Sequence, residues 1–137
     1  FTKEKYDSAL MFRHEKDFYV IARRNVAGDF NRGLKFLPDN VERGYYLVRY
    51  SLTRKRTALY KVNVGDKRLA PLFDFPSTGD TAYAGIVPLA GNSYYVLNYS
   101  CALDGMDWPW IGGQVAGTNI YETVLTFPSR EAAAPPL

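Results

Sequence analysis

Two tryptophans beside acidic and amide side chains form the most ligand-like stretch of this sequence. Residues 107–114 have the sequence DWPWIGGQ. An indole ring offers a flat surface for stacking a sugar ring, and carboxylate and amide groups hydrogen-bond its hydroxyls. The stretch therefore predicts a sugar-binding platform made of Asp107, Trp108, Trp110 and Gln114. The alternative is that both indoles pack over the core beneath a loop.

Two adjacent arginines offer a second kind of recognition. The guanidinium groups of Arg23 and Arg24 are suited to binding a carboxylate or a phosphate through two parallel hydrogen bonds, as in the acidic group of a sugar. Because side chains alternate along a strand, the two arginines point to opposite faces, and at most one of them serves this role. The alternative is one surface arginine and one packed arginine.

The elements that must position these residues are predicted to be β-strands. The 137 residues fit one domain, and 47% hydrophobic residues with 15% aromatics are enough for a packed core. β-Branched and aromatic residues favour strands, and no segment has a convincing helical pattern. The predicted strands cover residues 8–13, 18–23, 45–51, 57–63, 69–75, 81–87, 94–99 and 119–127. Residues 25–44 form a long irregular connection, residues 54–56 a solvated basic turn, and residues 129–137 a frayed tail.

The order of these strands repeats along the chain. Residues 1–78 and residues 79–128 each contain a hairpin, a long loop and a third strand that begins Thr-x-x-Tyr. Such repeats indicate a radial β architecture, in which a propeller blade is a four-stranded sheet of about 40 to 50 residues. The predicted fold class is therefore all-β, with about two four-stranded propeller blades, the second without its last strand. Two blades cannot close a ring, so the remaining blades come from the same polypeptide or from identical copies.

Three short motifs resemble one family of propellers. Residues 79–83 are GDTAY, residues 94–100 are YYVLNYS, and residues 118–121 are TNIY. This combination resembles the late blades of sialidase-like propellers and of related five- and six-bladed glycosidases, over residues 6–127. The resemblance implies a carbohydrate ligand and a glycoside hydrolase of sialidase-like type. Two alternatives stay open: a non-catalytic, lectin-like propeller module that binds glycans, and a purely structural interaction module.

The resemblance also implies which residues act. In such propellers the innermost strand of each blade begins at the face that carries the ligand, so Asp7 and Asp80 would face a shared central pocket. Two carboxyl groups there would act as general acid and general base at a glycosidic bond. Tyr83 would be the nucleophile, activated by a Glu that the sequence does not identify. The alternatives are that both aspartates bind turn amides, and that Tyr83 packs in the channel wall or hydrogen-bonds a ligand.

Other chemistries lack the residues they need. The single Cys101 and the single His14 give neither a disulfide nor a Cys/His metal site, and His14 is predicted at the surface. No glycine-rich phosphate or dinucleotide motif is present, so no cofactor is expected. A net charge of +3 does not indicate nucleic-acid binding, and no run approaches the ~20 apolar residues of a membrane span. A first residue of Phe rather than Met suggests a processed or excised piece; the compartment stays open, with a secreted or cell-surface location favoured.

Overall fold

Two antiparallel sheets make up most of the protein. The computed structural model describes residues 5–28, 34 and 36–129, except for the side chain of Tyr83. Its elements are β1 (Asp7–His14), β2 (Asp17–Asn25), α1 (Asp39–Ser51), β3 (Lys55–Asn63), β4 (Arg68–Asp74), β5 (Ala82–Pro88), β6 (Ser93–Cys101), α2 (Trp110–Gly113) and β7 (Thr118–Thr126). One sheet has the order β1-β2-β3-β4 and the other the order β5-β6-β7, and neither closes on itself. The β-rich fold predicted from the sequence is confirmed, whereas all of the predicted tail beyond residue 129 lies outside the described residues.

Tight turns and an edge proline follow the sequence pattern. The turn between β1 and β2 places Glu15 at a φ of 49°, and the turn between β5 and β6 places Gly91 at a φ of 69°. Pro71 lies in β4, which is the last strand of its sheet, as predicted from the lack of an N–H group to donate to a second neighbour. The residues of these turns therefore determine both hairpins, β1–β2 and β5–β6, whose first strands begin at or just after Asp7 and Asp80.

The side chains packed between the two sheets change from aromatic to polar along the strands. At one end Phe12, Tyr19, Tyr94 and Phe127 form an aromatic group, and His14 stacks on Phe127 with ring centroids 4.2 Å apart. His14 also bonds the Tyr94 hydroxyl at 3.0 Å and is half-buried, so it packs against this aromatic group while part of it stays exposed. The aromatic end seals the sheets on the side opposite to the polar end.

Aliphatic and then polar side chains complete the packed layer. The middle is a core cluster of fully or almost fully buried side chains: Tyr19, Ile21, Leu59, Phe75, Val96 and Leu125. Burying a large apolar side chain contributes about 1.5–3 kcal/mol to stability, so this cluster contributes most to holding the sheets together. Beyond it come buried hydroxyl groups, with Thr57 Oγ1 and Thr81 Oγ1 2.7 Å apart across the two sheets. The polar end of the layer is therefore the end that can hold charged groups.

The outer faces of both sheets are also apolar. The four-stranded sheet carries a second cluster on its far side, built on Val20, Ala22, Ala58 and Tyr60. On β5 and β7, Val87, Ile120 and Val124 are 55%, 68% and 59% exposed. Within the described chain β7 pairs only with β6, so its other edge is open.

The first strand of each sheet carries the same irregularity. Between Asp7 and Leu10, β1 has one residue more than the paired segment of β2, and between Ala82 and Gly85, β5 has one residue more than the paired segment of β6. One-residue bulges of this kind twist a strand and redirect its side chains. The bulges align Asp7 of β1 with Ala82 of β5, so the structural repeat is offset by two residues from the pair Asp7 and Asp80 that was predicted to share a pocket.

A helix replaces one predicted strand. Residues 45–51 belong to α1, so the predicted strand there and the predicted absence of helices are wrong. Pro38 precedes the helix, Asp39 and Glu42 lie in its first turn, and Arg49 lies in its last, which suits the helix dipole. The aromatic and β-branched residues that favoured a strand are mostly exposed, and only Tyr50 is buried. In the described part of the chain, neither helix is long and apolar enough to cross a membrane.

Candidate functional site

A single arginine joins the two sheets at the polar end of the packed layer. Arg23 of β2 is 9% exposed; its Nη2 donates to Asp7 Oδ2 at 3.2 Å, and its Nη1 lies 3.5 Å from Asp80 Oδ1. Asp7 opens β1 beside Arg23, whereas Asp80 precedes β5 of the other sheet. The structure therefore brings the two predicted carboxylates together at one guanidinium group. Among the described residues, both accept side-chain donors and neither binds a turn amide.

Asp80 is surrounded by donors from three elements. Trp110, at the start of α2, donates from Nε1 to Asp80 Oδ1 at 3.0 Å, and Tyr99 of β6 donates its hydroxyl to the same oxygen at 3.2 Å. The indole also lies over the guanidinium carbon of Arg23, 5.4 Å from the ring centroid, which is a cation–π distance. We call Asp7, Arg23, Tyr50, Asp80, Tyr99 and Trp110 the Arg23 cluster.

Tyr50 brings α1 into the cluster. Its hydroxyl donates a short hydrogen bond to Asp7 Oδ2 and accepts one from Arg23 Nε at 3.1 Å. Burial by itself would raise the pKa of Asp7, but the hydrogen bonds from Tyr50, Arg23 and Lys5 outweigh it and hold that pKa below its ordinary value. Burial, together with the bond to Asp7, raises the pKa of Tyr50 well above its ordinary value. Near neutral pH the pair is therefore a charged carboxylate with a protonated phenol as its donor.

Lys55 fixes the end of α1, and its predicted place in a solvated turn is wrong. The side chain is fully buried; Nζ donates to Asn25 Oδ1, to Thr53 Oγ1 at 2.6 Å and to the Tyr50 carbonyl at 2.5 Å. Nζ also lies 3.5 Å from the centroid of the Tyr50 ring. Burial, and then the charge of Arg23, lower the pKa of Lys55 to about 7. Lys55 thus ties β2, β3 and α1 together behind the phenol that contacts Asp7.

Two glycines allow the segment carrying Asp80 to approach α2. A Cβ on Gly113 would lie 2.1 Å from the Asp80 backbone nitrogen, and one on Gly79 would lie 2.6 Å from Cys101 Sγ. Gly79 also has a φ of 60°, which side-chain-bearing residues rarely adopt. Because α2 sits against this segment without an intervening side chain, Trp110 reaches the Asp80 carboxylate.

Arg24 lies away from the cluster. It binds Asp74 of β4 through both carboxylate oxygens, at 2.7 and 2.5 Å. It follows Arg23 directly, and the strand places it on the face of Val20 and Ala22, so the predicted alternation of the two arginines is confirmed.

The predicted tryptophan platform is divided by the structure. Asp107 binds Arg56 at 2.9 and 2.7 Å and accepts the Thr78 hydroxyl at 2.6 Å. The hydrogen bond from Arg56, outweighing partial burial, holds the pKa of Asp107 below its ordinary value. Trp108 is 37% exposed and lines a separate open cleft beside Met106.

Two further predicted residues have no described contact with the cluster. Gln114 is exposed at the end of α2. Tyr83 falls within the bulge of β5, and its side chain lies outside the described part of the structure. Of the four residues predicted for the platform, Trp110 is the one that contacts the Arg23 cluster through described contacts.

Sequence reasoning missed Tyr50, Tyr99 and Lys55. Tyr50 was hidden in a segment interpreted as a strand, although the helix start signal Pro38-Asp39 was present. Tyr99 belongs to the motif YYVLNYS, and the sequence alone does not show which of its tyrosines contacts the site. A lysine within a run of three basic residues gives no sign of burial, because its hydrogen-bond acceptors come from distant positions such as Asn25.

Comparison with known proteins adds no assignment. No family model, no curated protein and no solved structure matches the chain. Among the residues that the structure describes, no three His, Cys, Asp or Glu side chains are grouped to hold a metal ion. The cluster itself is a hydrogen-bonding and stacking site: two carboxylates, an indole and phenol hydroxyls around one cation.

We predict that Gly113→Ala lowers the free energy of unfolding by about 1–3 kcal/mol, because the added methyl group collides with the Asp80 backbone and pushes α2 away. Urea unfolding followed by tryptophan fluorescence measures this. Gly117→Ala is the matched control, since a Cβ there meets nothing within 4 Å. Equal stability of the two variants would contradict the close approach.

We predict a stability difference that depends on pH at Lys55. Its pKa of about 7 in the fold lies below the unfolded value of 10.5, so the unfolded chain binds more protons between these pH values. The cost of burying the charge is complete below pH 7 and is relieved as the pH rises, with a slope of up to about 1.4 kcal/mol per pH unit. In measurements from pH 6 to 10, the unfolding free energy of the native chain should rise relative to that of Lys55→Met once the pH exceeds about 7, because the variant has no titrating group at this position. Parallel pH profiles would show that Lys55 titrates as it does in water.

Proposed function

We propose that this chain supplies two consecutive blades of a carbohydrate-active β-propeller, most simply a glycoside hydrolase of sialidase-like type, and that the Arg23 cluster binds the sugar. The observation that carries the proposal is the convergence of Asp7 and Asp80, from the openings of two different sheets, on Arg23 beside Trp110. The remaining blades come from the same polypeptide or from identical copies.

The packing of the sheets supports the blade assignment. β5 packs chiefly against β1, so the first strands of the two sheets are neighbours, as the inner strands of adjacent blades are around a propeller axis. Both first strands carry the same one-residue bulge. The apolar outer faces suit further blades on either side, and the open edge of β7 suits the fourth strand that its sheet lacks.

The composition of the cluster supports a sugar ligand. Sugars are recognised by aromatic faces together with a few fixed polar groups. Trp110 supplies the aromatic ring, Asp7 and Asp80 supply acceptors, and Tyr50 and Tyr99 supply hydroxyls. The side chains of Asp7 and Asp80 retain 20% and 16% exposure, so a ligand can reach them.

In the hydrolase, the two carboxyl groups take different parts. The lowered pKa of Asp7 suits the member that stays charged, and Asp80 then transfers the proton at the glycosidic bond. Tyr83 acts as nucleophile, with a Glu from the remaining blades as its base. Tyr50 does not suit the nucleophile because its raised pKa keeps it protonated.

A lectin-like, non-catalytic propeller module is the second candidate. It is favoured by the pairing of both carboxylates with the same guanidinium group. The side-chain donors around both carboxyl groups suit two hydrogen-bond acceptors, and none of these contacts requires either group to carry a proton. Binding without cleavage needs no proton donor, so this arrangement serves a lectin equally well.

We predict that Asp80→Asn in the complete protein lowers turnover by about 10²–10⁴-fold, because an amide cannot transfer the proton. Release of nitrophenol from a panel of nitrophenyl glycosides measures it. Asp74→Asn is the control, since this carboxylate pairs with Arg24 on the other face of β2. Unchanged turnover in Asp80→Asn would end its catalytic assignment, and glycan binding by an unmutated protein without turnover would establish the lectin.

We predict that Trp110→Ala weakens glycan binding roughly tenfold, because the indole is lost from the cluster together with its bond to Asp80. Titration calorimetry with the best-binding glycan measures this. Trp108→Ala should have a smaller effect, since Trp108 lines a different cleft. Full affinity in Trp110→Ala would place the sugar elsewhere.

A further inference from the structure

Asp7 makes its described contacts through one of its two carboxylate oxygens. Its contacts with Arg23, Tyr50 and Lys5 all reach Oδ2. Within the described residues, Asp7 Oδ1 is left without a partner. The side chain is 20% exposed, so this oxygen belongs to a carboxylate that solvent reaches.

Asp80 shows the same division from the opposite sheet. Its contacts with Arg23, Tyr99 and Trp110 all reach Oδ1. Asp80 Oδ2 has no partner in the part of the chain that the structure describes, and the side chain is 16% exposed. Within the described chain, each carboxylate therefore has one oxygen bound to the fold and one oxygen without a partner.

The cations of the site are already occupied by groups of the chain itself. Arg23 donates from Nε to Tyr50 and holds the two aspartates with Nη1 and Nη2. Lys55 is fully buried and directs its ammonium group to three oxygens behind Tyr50. Lys5 pairs with Asp7 at 3.2 Å and lies 4.3 Å from the centroid of the Tyr50 ring. Among the described residues, the cluster holds no cation that lacks an internal partner.

Free carboxylate oxygens select a ligand that donates hydrogen bonds. A carboxylate accepts but does not donate, so sugar hydroxyls satisfy these oxygens, whereas the carboxylate of an acidic sugar does not. At these oxygens the carboxylate of an acidic sugar would also lie close to two like charges, while the guanidinium group between them already binds both aspartates. The lowered pKa of Asp7 keeps its charge in place at neutral pH.

We propose that the sugar bound by the Arg23 cluster is neutral, with hydroxyl groups that donate to Asp7 Oδ1 and, before Asp80 takes up the proton that it transfers in the hydrolase, to Asp80 Oδ2. This inference rests on the proposed carbohydrate function. It departs from the acidic sugar that the sequence suggested for Arg23, because that guanidinium group is committed to carboxylates of its own chain.

Matched pairs of sugars test the inference on the complete protein. Methyl glucoside is compared with methyl glucuronide, methyl galactoside with methyl galacturonide, and a sialoside is included as a third acidic ligand, all by titration calorimetry. Within each pair that binds, the neutral member should bind at least tenfold more tightly. Tighter binding of the acidic members or of the sialoside would overturn the inference while leaving the carbohydrate function intact. Absence of binding by every sugar would overturn the proposed function and the inference with it.

Removing one negative charge should change the ratio of neutral to acidic sugar affinity, whereas a general loss of packing should weaken the binding of both sugars. In Asp7→Asn the neutral sugar should bind less tightly while the acidic sugar is repelled less, so the ratio of neutral to acidic affinity falls at least fivefold. Asp80→Asn should shift the ratio in the same direction and serves as a second variant if Asp7→Asn does not fold by circular dichroism. Asp74→Asn, whose carboxylate is bound to Arg24 away from the cluster, should leave the ratio unchanged. An unchanged ratio in the folded Asp7 and Asp80 variants would overturn the inference.

Discussion

The structure depends on one guanidinium group that is shared between carboxylates of two sheets. Burying Arg23 would be costly without partners, and each aspartate contributes to offsetting that cost. Because Asp7 and Asp80 come from different sheets, this charge network acts across the same gap that the apolar core closes. The two carboxylates thus help to hold the polar end of the sheets together, each through one of its two oxygens.

A second buried cation extends this constraint to the helix. Lys55 has no carboxylate partner among its described hydrogen bonds and depends on amide, hydroxyl and carbonyl oxygens and on the face of Tyr50. The nearby charge of Arg23 makes its protonation harder. The phenol of Tyr50 stands between the two cations and reaches Asp7, so α1 is positioned by electrostatics more than by its mostly exposed apolar side chains.

The strands could be predicted from sequence because their information is local. The alternation of residues in β2 placed Arg23 and Arg24 on opposite faces, and turn residues marked the hairpins. The helix α1 was missed because Tyr50 and its neighbours favour strands by composition, while the signals at Pro38 and Asp39 depend on position. The burial of Lys55 could not be predicted at all, since a solvated and a buried lysine have the same sequence and differ only in partners supplied by the fold.

The pairing of Asp7 and Asp80 with Arg23 could be predicted from the sequence only in part. Both acidic residues could be singled out at strand openings, but their common partner required the packing of β1 against β5 and a bulge in each strand. The two-residue offset between the repeats means that similar sequences reached one site from different structural positions. Sequence identified the participants, and tertiary packing decided their contacts.

The open edge of β7 has a consequence for how the chain behaves while it is being made. Its nine residues, TNIYETVLT, contain no lysine and no proline, the residues that usually keep an edge strand from joining its neighbours. A newly synthesised chain in which this edge is unpaired therefore exposes a template for pairing with other copies. Cells that produce this protein in quantity would have to shield that edge, and the interval before shielding sets its tendency to form aggregates.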